Sequence, residues 1–296
     1  MRIAFVANHR KWGGLQNNGG TKTILKSAST LRELGHRVDI VATVDRFTWF
    51  KHVKPIPEIP ADTDVAIAVS VSEINNVLKS NAKRKFWFCR GLERWRMQEG
   101  KIIKKAKKIN IIVNSSWLLE KFPHAEVCFA GLDVDHWYDN RIHDWNRPKW
   151  TIGFLKHHKL ASKRNDIMFD VLRYFKRNPV YRYKILDSNG NLNDYQMKEF
   201  YNECDMWVAT STLEGFHQCP AEAGLAGALI IYHDIDSGGT KDYCSPATGM
   251  PFKTVDEAIQ RILNPDFRKV EVMQEVLREK IGNRRKNMKR LVELIS

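Results

Sequence analysis

The feature that most constrains the fold is an alternation of apolar runs with segments of helical periodicity. The run IAFVA at 3–7 is typical of a buried strand, and apolar residues recur at helical spacing over 21–34. Gly35 then stands where a helix is expected to end, and RVDIVATV at 37–44 resumes as a strand. A strand, a helix and a strand in this order predict a parallel sheet with helices on its faces.

The alternation continues along the chain in two series. Further strands are predicted at 64–70, 85–89, 109–115, 150–155, 181–186, 206–210 and 228–232, and further helices near 165–177, 194–203 and 220–227. The polar segment DNRIHDWNRPK at 139–149 contains a proline and lacks periodicity, which is typical of a linker. We therefore predict an α/β protein with two Rossmann-like domains, 1–140 and 150–280, facing each other across a cleft. The C-terminal helix, 281–296, is expected to bridge back to the first domain.

Length and composition support this organisation. A chain of 296 residues suits two ordinary domains. No segment approaches the ~18 uninterrupted apolar residues of a membrane-spanning helix, and the N-terminus enters a strand without the apolar block of a signal peptide. We expect a cytoplasmic protein without a transmembrane segment, at most peripheral at the inner membrane face. The 5 cysteines form no C-x-x-C pair, so neither a zinc site nor a disulfide framework is indicated.

The positive charge is concentrated in one segment. The chain has a net charge of +14, and residues 79–108 alone contain 12 Lys or Arg and 2 Asp or Glu. Phe86, Trp87, Phe88 and Trp95 are interleaved with these cations, a mixture that suits nucleic acid or an anionic membrane surface. The alternative is a solvated helix face. The predicted basic patch consists of Lys83, Arg84, Lys85, Arg90, Arg94, Arg96, Lys101, Lys104, Lys105, Lys107 and Lys108.

A glycine-rich loop, WGGLQNNGGTKT at 12–23, follows the first strand. It is not a P-loop, because a count from Gly14 puts Gly20 where the lysine belongs, and it does not fit a dinucleotide fingerprint. The loop leads into a helix N-terminus, whose free N–H groups favour a phosphate or a carboxylate. A tight turn without a ligand is the alternative.

Two glutamates stand out in the stretch STLEGFHQCPAEAGLAGALIIYHD at 211–234. Glu214 and Glu222 are eight positions apart. Pro220 is well placed as the first residue of a helix, which would put Glu222 in the first turn beside unpaired N–H groups. A carboxylate there can accept two ribose hydroxyls, and Glu214 on the preceding loop can contact a second polyol. A helix cap and a surface charge are the alternative reading of the pair.

This stretch resembles the E-x7-E motif of the retaining glycosyltransferases of family 4, which have the two-domain GT-B fold. The resemblance covers nearly the whole chain in order. It is carried by the segments GGTKTILKSASTLRELGHRVDIVA, VNSSWLLEKF, AGLDVDHW, IGFLKHHKLASKRND and SGGTKDY.

The resemblance implies roles for individual residues. Glu222 would hold the ribose of a nucleotide sugar, and Glu214 would contact the donor sugar. Lys163 would neutralise the diphosphate, which Gly19 and Gly20 would approach from the other domain. The remaining donor-binding candidates are His157, Gly215, Phe216, Gly238 and Gly239, with Thr240 as a further backbone donor.

The chain departs from the family pattern at two places. The family has an arginine a few residues before the lysine, whereas His157 and His158 occupy that neighbourhood here. A neutral imidazole is a weaker phosphate ligand, and Lys156 and Lys159 are further candidates for the missing charge. His217 stands where a glycine is common, so the donor-sugar pocket is expected to be reshaped.

The resemblance also implies the reaction. The donor would be a nucleotide diphosphate sugar, most often a UDP- or GDP-sugar, with no cofactor required, and the leaving diphosphate would help to deprotonate the acceptor hydroxyl. Asp133 and Asp135 form the D-x-D sequence that binds a metal in another glycosyltransferase fold. They lie here in the segment that resembles the turn before the hinge, so no metal is predicted. Glu93 is the acidic candidate near the acceptor, with a structural partnership to a basic neighbour as its alternative.

In the GT-B fold the N-terminal domain binds the acceptor, so the basic patch predicts an anionic or surface-bound acceptor. One hypothesis is an envelope glycan or glycolipid. Another is a hydroxylated base in DNA of the phage type, with the aromatic residues supporting an extruded base. A third is a non-catalytic module that binds a nucleotide sugar or nucleic acid.

Overall fold

The computed structural model describes residues 1–7, 14–94, 96–139, 150–157, 161–177, 181–187 and 192–296. The chain forms two compact units. Unit 1 comprises Met1–Gly131 and Asn283–Ser296, and unit 2 comprises Leu132–Gly282. Most of the predicted linker, 140–149, lies outside the described residues.

Unit 1 is built on a parallel sheet with the strand order β2-β1-β3-β4-β5-β6. Its elements are β1 (Arg2–Val6), α1 (Gly19–Glu33), β2 (Arg37–Val41), β3 (Val65–Ala68), α2 (Ile74–Lys79), β4 (Arg84–Cys89), α3 (Glu99–Ala106), β5 (Asn110–Val113), β6 (Glu126–Val127) and α10 (Arg284–Ile295). Every strand pairs in parallel with its neighbours, which confirms the predicted sheet. Strand β3 and most of β1 and β4 are buried on both faces, as expected for strands covered by helices on either side.

Helices α1 and α10 cover one face of this sheet. Apolar residues of α1 at helical spacing, among them Ile24 and Leu31, are buried in the same core as Ile3 of β1. Met288 and Leu291 of α10 join that core. Gly35 follows α1 with a φ of 88°, the left-handed conformation that glycine adopts without strain.

Three of the aromatic residues interleaved with the predicted basic patch lie in the interior of this fold. Phe86, Trp87 and Phe88 belong to β4 and are at most 9% exposed. Since β4 pairs with β3 on one side and β5 on the other, its side chains point into the helix layers. The prediction that these aromatics support a nucleic-acid base or dock on lipid is therefore wrong, and Trp95 lies outside the described residues.

Unit 2 contains a second parallel sheet with the order β11-β10-β9-β7-β8. Its elements are α4 (Val134–Trp137), β7 (Thr151–Lys156), α5 (Asn165–Phe175), β8 (Arg182–Asp187), α6 (Asp194–Asn202), β9 (Met206–Ala209), α7 (Gln218–Leu225), β10 (Leu229–His233), β11 (Met250–Phe252), α8 (Val255–Leu263) and α9 (Lys269–Val276). The pairs are again parallel, so both predicted α/β sheets are confirmed. Loops at the carboxyl ends of β7, β9 and β10 therefore emerge at one edge of the sheet.

Candidate donor-binding site

Two charged side chains from different loops meet at the carboxyl edge of the unit 2 sheet. Lys163 ends a short 3₁₀ turn, Ala161–Lys163, between β7 and α5, and Glu214 lies in the loop after β9. The Lys163 ammonium forms an ion pair with Oε1 of Glu214. The two side chains are 15% and 16% exposed, so the pair is shielded from bulk water while each partner keeps an accessible edge.

Hydrogen bonds hold the two loops in place around this pair. The hydroxyl of Thr210 donates to the carbonyl of Lys163 over 2.8 Å. The N–H of Thr212 donates to the carbonyl of Ser162 over 2.7 Å. Because both bonds cross from the β9 loop to the 3₁₀ turn, the backbone brings Lys163 and Glu214 together.

The charge state of Glu214 follows from its surroundings. Burial is the largest single influence on the carboxyl and opposes its ionisation, but the charges of Lys163 and His217 and the hydrogen bonds from Lys163 and Ser211 together outweigh burial. The pKa of Glu214 is held at about 2, below its usual value of 4.5. At neutral pH the site therefore presents a carboxylate that only accepts hydrogen bonds.

Strained backbone is concentrated around the pair. Among the described residues, the non-glycine residues with positive φ are Arg164, Leu213 and Asp236, at 48°, 52° and 48°. Arg164 directly follows Lys163, Leu213 directly precedes Glu214, and the Leu213 N–H donates to the Asp236 carbonyl. Left-handed non-glycine residues are costly and cluster at functional sites, so this backbone supports the assignment of a site here.

The glycine pair of the loop after β10 lies against Glu214. Gly238 has a φ of 58° and forms a bridge with Glu214, and the N–H of Gly239 donates to the Glu214 carbonyl over 2.8 Å. The N–H of Thr240 points to the Ser237 carbonyl at 3.3 Å. The amides of Gly239 and Thr240, predicted as phosphate donors, thus already donate to backbone carbonyls, that of Gly239 across to the β9 loop and that of Thr240 within its own loop.

His217 is the third side chain of the cluster. It is 4% exposed, and its Nε2 lies 3.7 Å from Oε1 of Glu214. Its Nδ1 lies 3.0 Å from the hydroxyl oxygen of Thr240. Burial lowers the pKa of His217 to about 4, which the charge of Glu214 opposes and that of Lys163 reinforces, so the imidazole is neutral at pH 7.

Glu222 occupies a different environment from the one predicted. Helix α7 begins at Gln218 and not at Pro220, so Glu222 is its fifth residue and lies beyond the free N–H groups of the first turn. The prediction that Glu222 lies in the first turn is wrong, because two further residues precede Pro220 in the helix. Glu222 is 1% exposed, and its carboxylate accepts from Gln218 Nε2 at 2.8 Å and from the hydroxyl of Tyr201 at 3.3 Å.

Both hydrogen-bond partners of Glu222, Gln218 and Tyr201, were missed in the analysis of the sequence. Gln218 precedes Glu222 by four residues, a spacing that puts both side chains on one helix face and that was available as a signal. Tyr201 lies at the end of α6 and carries no comparable local signal, since only the packing of α6 against α7 brings it to Glu222.

The remaining donor-binding candidates lie in the loops after β7 and β9. His157 follows β7 and exchanges backbone hydrogen bonds with the side chain of Asn165, at 3.2 and 2.7 Å. Gly215 and Phe216 follow Glu214, and the Phe216 ring lies 5.6 Å from that of Tyr243. His158 and Lys159 lie outside the described residues.

Gly19 and Gly20 open helix α1 of unit 1. Asn18 caps the helix by accepting from the Thr21 N–H over 2.8 Å. Arg90 donates from Nη1 to the Gly20 carbonyl over 2.5 Å and from Nη2 to the Val69 carbonyl over 3.0 Å. Arg90 thus supports the glycine loop, and the phosphate-binding role of the two glycines stays a prediction.

Glu93 is engaged by its neighbours in unit 1. It is 8% exposed, and its Oε1 accepts from the Val71 N–H at 3.3 Å. Its Oε2 lies 3.1 Å from Nε of Arg96. This environment favours the structural alternative for Glu93 over a role at the acceptor.

The basic patch is divided between the two edges of the unit 1 sheet. At the amino edge of the sheet lie Lys83 and Arg84, next to the start of β4, and Lys107 and Lys108, before β5. At the carboxyl edge lies Arg90, which follows β4. Several members have specific partners: Lys83 with Asp64, Lys85 with the Leu78 carbonyl, Arg94 with Glu99, Arg96 with Glu93 and Lys105 with the Val71 carbonyl. The exposed lysines of α3 are Lys101 and Lys104. The structure therefore does not assemble the eleven residues into one surface.

Neither a metal cluster nor a membrane span is found in the part of the chain that the structure describes. No group of three or more His, Cys, Asp or Glu residues there is arranged to hold an ion. Asp133 and Asp135 of the D-x-D sequence lie at the start of the short helix α4. No helix within the described ranges is long and apolar enough to cross a membrane.

By sequence, no protein family and no curated protein matches the chain. By structure, the chain is similar to HepE from Anabaena in complex with UDP-glucose, with a TM-score of 0.74 and 13% identity, covering 100% of this chain and 99% of that one. It is similar to sucrose-phosphate synthase from Thermosynechococcus elongatus, with a TM-score of 0.70, 14% identity and coverage of 99% and 98%. It is also similar to the lipopolysaccharide outer core galactosyltransferase WaaB, with a TM-score of 0.68, 14% identity and coverage of 99% of both chains. The chain therefore has the fold of GT-B glycosyltransferases.

Proposed function

We propose that this protein is a glycosyltransferase that transfers a sugar from a nucleotide diphosphate sugar, and that the Lys163–Glu214 pair forms the centre of its donor site. The observation that carries the proposal is the position of this shielded ion pair at the carboxyl edge of a parallel sheet, where α/β proteins bind their ligands. The solved structure of HepE with UDP-glucose supports a UDP-sugar as the donor, and GDP-sugars are the alternative.

Lys163 would stabilise the leaving group. Transfer breaks the bond between the anomeric carbon and the phosphate oxygen, and negative charge then accumulates on the nucleoside diphosphate. Because Lys163 is only 15% exposed, its ammonium acts on that charge with little screening by water. The loop contacts from Thr210 and Thr212 hold the lysine backbone in place before the donor binds.

Glu214 would bind the sugar that is transferred. Its carboxylate stays ionised at neutral pH, because the pKa is held at about 2, and a carboxylate accepts hydrogen bonds from hydroxyl groups. The 16% exposure of its side chain leaves an edge that a sugar can reach. Glu222 would accept from the ribose hydroxyls in addition to its hydrogen bonds from Tyr201 and Gln218.

The reaction we propose retains the anomeric configuration. The acceptor oxygen forms its bond to the anomeric carbon on the face from which the diphosphate departs, and the acceptor proton moves to the leaving phosphate oxygen. No protein nucleophile and no metal are needed in this scheme, since Lys163 supplies positive charge beside the leaving group. The structural similarity to WaaB, a lipopolysaccharide galactosyltransferase, supports an envelope glycan or glycolipid as the acceptor. The aromatic residues of β4 are buried, so they do not support the alternative of an extruded DNA base.

The test is calorimetric binding of UDP-, GDP-, ADP- and CDP-glucose to wild-type protein and to Lys163→Met, with and without EDTA. We expect one nucleotide class to bind, the affinity to fall at least about tenfold in Lys163→Met, and EDTA to have no effect. Lys184→Met is the matched control, because Lys184 forms an ion pair with Glu203 in the same unit and should leave donor affinity unchanged. Wild-type protein that binds none of the four donors would contradict the proposal.

The stereochemistry has a separate readout. Glycosyltransferases hydrolyse their donors slowly, and NMR of the first sugar released shows its anomeric configuration before mutarotation. Release of the donor's own anomer supports retention. Release of the opposite anomer would reject retention but would not contradict the proposed donor site.

A further inference from the structure

The imidazole of His217 lies between two fixed oxygen atoms. Its Nδ1 is 3.0 Å from Oγ1 of Thr240 and its Nε2 is 3.7 Å from Oε1 of Glu214. The ring cannot turn easily, because the side chain is 5% exposed and the hydroxyl of Tyr243 donates to the His217 carbonyl over 2.6 Å. The geometry of both ring nitrogens is therefore set by the fold.

The surroundings select one tautomer of this ring. A neutral imidazole has one N–H group, and the other nitrogen is an acceptor. The carboxylate of Glu214 faces Nε2, so a proton on Nε2 is attracted whereas a lone pair on Nε2 would be repelled. Nδ1 then accepts a hydrogen bond from the Thr240 hydroxyl, which at 1% exposure has little access to water.

Nε2 of His217 and Oε1 of Glu214 are close enough for one hydroxyl group beside them to contact both atoms. A separation of 3.7 Å is too long for a direct hydrogen bond. A single hydroxyl oxygen can lie at hydrogen-bond distance from both atoms, accepting from Nε2–H and donating to Oε1. Oε1 of Glu214, which also accepts from the Lys163 ammonium, only accepts hydrogen bonds, and Nε2–H only donates, so the two atoms are complementary to one hydroxyl that lies beside both.

We infer that His217 and Glu214 together recognise one hydroxyl group of the donor sugar. The inference rests on the proposed function and names a specificity determinant of that same site. Thr240 is a positioning residue in this arrangement, because it acts only through the tautomer of His217. A site built to bind a hydroxyl discriminates strongly against an analogue that lacks it, since its polar groups are then left without a partner.

The experiment measures calorimetric affinities for UDP, UDP-glucose and the four UDP-monodeoxyglucoses that lack the 2-, 3-, 4- or 6-hydroxyl. We expect wild-type protein to bind one deoxy donor at least about tenfold more weakly than UDP-glucose. His217→Gly should bind that deoxy donor and UDP-glucose equally well, with its affinity for UDP unchanged. His217→Gln, which keeps an N–H donor, should restore part of the discrimination, and Thr240→Val should lose part of it.

His136→Gln is the matched control, because His136 is a half-buried histidine of unit 2 whose ring contacts the Asp194 carbonyl and not Glu214. It should retain the wild-type discrimination. A variant His217→Gly that keeps the wild-type ratio between donors, or that loses UDP affinity as much as UDP-glucose affinity, overturns the inference alone. If the four-donor panel selects another nucleotide class, the deoxy donors carry that nucleotide in place of UDP. Wild-type protein that binds none of UDP-, GDP-, ADP- and CDP-glucose overturns the proposed function and this inference together.

Discussion

Gly238 lies so close to Glu214 that a Cβ on Gly238 would be 2.4 Å from the Glu214 carbonyl oxygen and 2.9 Å from its amide nitrogen. Both atoms belong to the backbone and cannot move aside independently. The φ of 58° at Gly238 adds a second reason for glycine at this position. The loop after β10 therefore supports the backbone of Glu214 directly.

The first prediction is that Gly238→Ala destabilises the protein by about 2 kcal/mol or more, since the methyl group clashes with backbone and the conformation is strained. Urea unfolding measures the change. Gly100→Ala is the control, because Gly100 lies in α3 and a Cβ there meets nothing within 4 Å. It should stabilise the protein by about 0.5 to 1 kcal/mol, and equal effects at the two sites would contradict the prediction.

The second prediction concerns the left-handed backbone at Leu213. Asparagine tolerates this conformation better than alanine does, so Leu213→Asn should be more stable than Leu213→Ala by about 0.5 to 1 kcal/mol. Val272 is similarly exposed, at 39% against 37% for Leu213, but lies in helix α9. There the order should reverse, because alanine is the better helix former. Thermal unfolding of the four variants tests both orders.

The third prediction is a two-step loss of stability in acid. The pKa of His217 is lowered in the folded protein, to about 4 from 6.5, so the unfolded chain binds more protons between these values and stability falls as the pH drops through them. The pKa of Glu214 is lowered to about 2 from 4.5, so its contribution is complete above pH 4.5 and is lost as the pH falls toward 2.

The variants separate these two steps. In His217→Gln the decline between pH 6.5 and pH 4 should be smaller than in wild-type protein. In Glu214→Gln the decline below pH 4.5 should be smaller. Urea unfolding at closely spaced pH values gives the free energy of unfolding for each. Parallel profiles for wild type and both variants would show that neither group titrates as described.

The fourth prediction concerns the buried hydrogen bond between Tyr201 and Glu222. Tyr201→Phe should destabilise the protein by about 1 to 2 kcal/mol, because a buried carboxylate oxygen loses a donor. Tyr195→Phe is the control, since Tyr195 belongs to the same helix and is 78% exposed. Its stability should change by less than about 0.5 kcal/mol. If Tyr201→Phe leaves the free energy of unfolding unchanged, the hydrogen bond contributes nothing to the stability of the folded state.

Strands β6 and β11 were not predicted from the sequence because they are very short. Strand β6 contains two residues and β11 three, too few for any periodicity to be detected. Both lie at an edge of their sheet and form through pairing with a neighbour already in place. Long segments such as α1 and β7 were predicted closely, because their own residues carry a complete period.

The sequence by itself determined the two α/β sheets and the spacing of Glu214 and Glu222, because strand and helix periods are local properties of consecutive residues. Only the tertiary structure decided which partners these glutamates take. Lys163 is 51 residues from Glu214 and Tyr201 is 21 from Glu222, and such contacts depend on how strands order themselves in a sheet. The same reason separates Trp87 from its basic neighbours: in sequence it lies within a cationic run, but pairing of β4 with both β3 and β5 places its ring in the core.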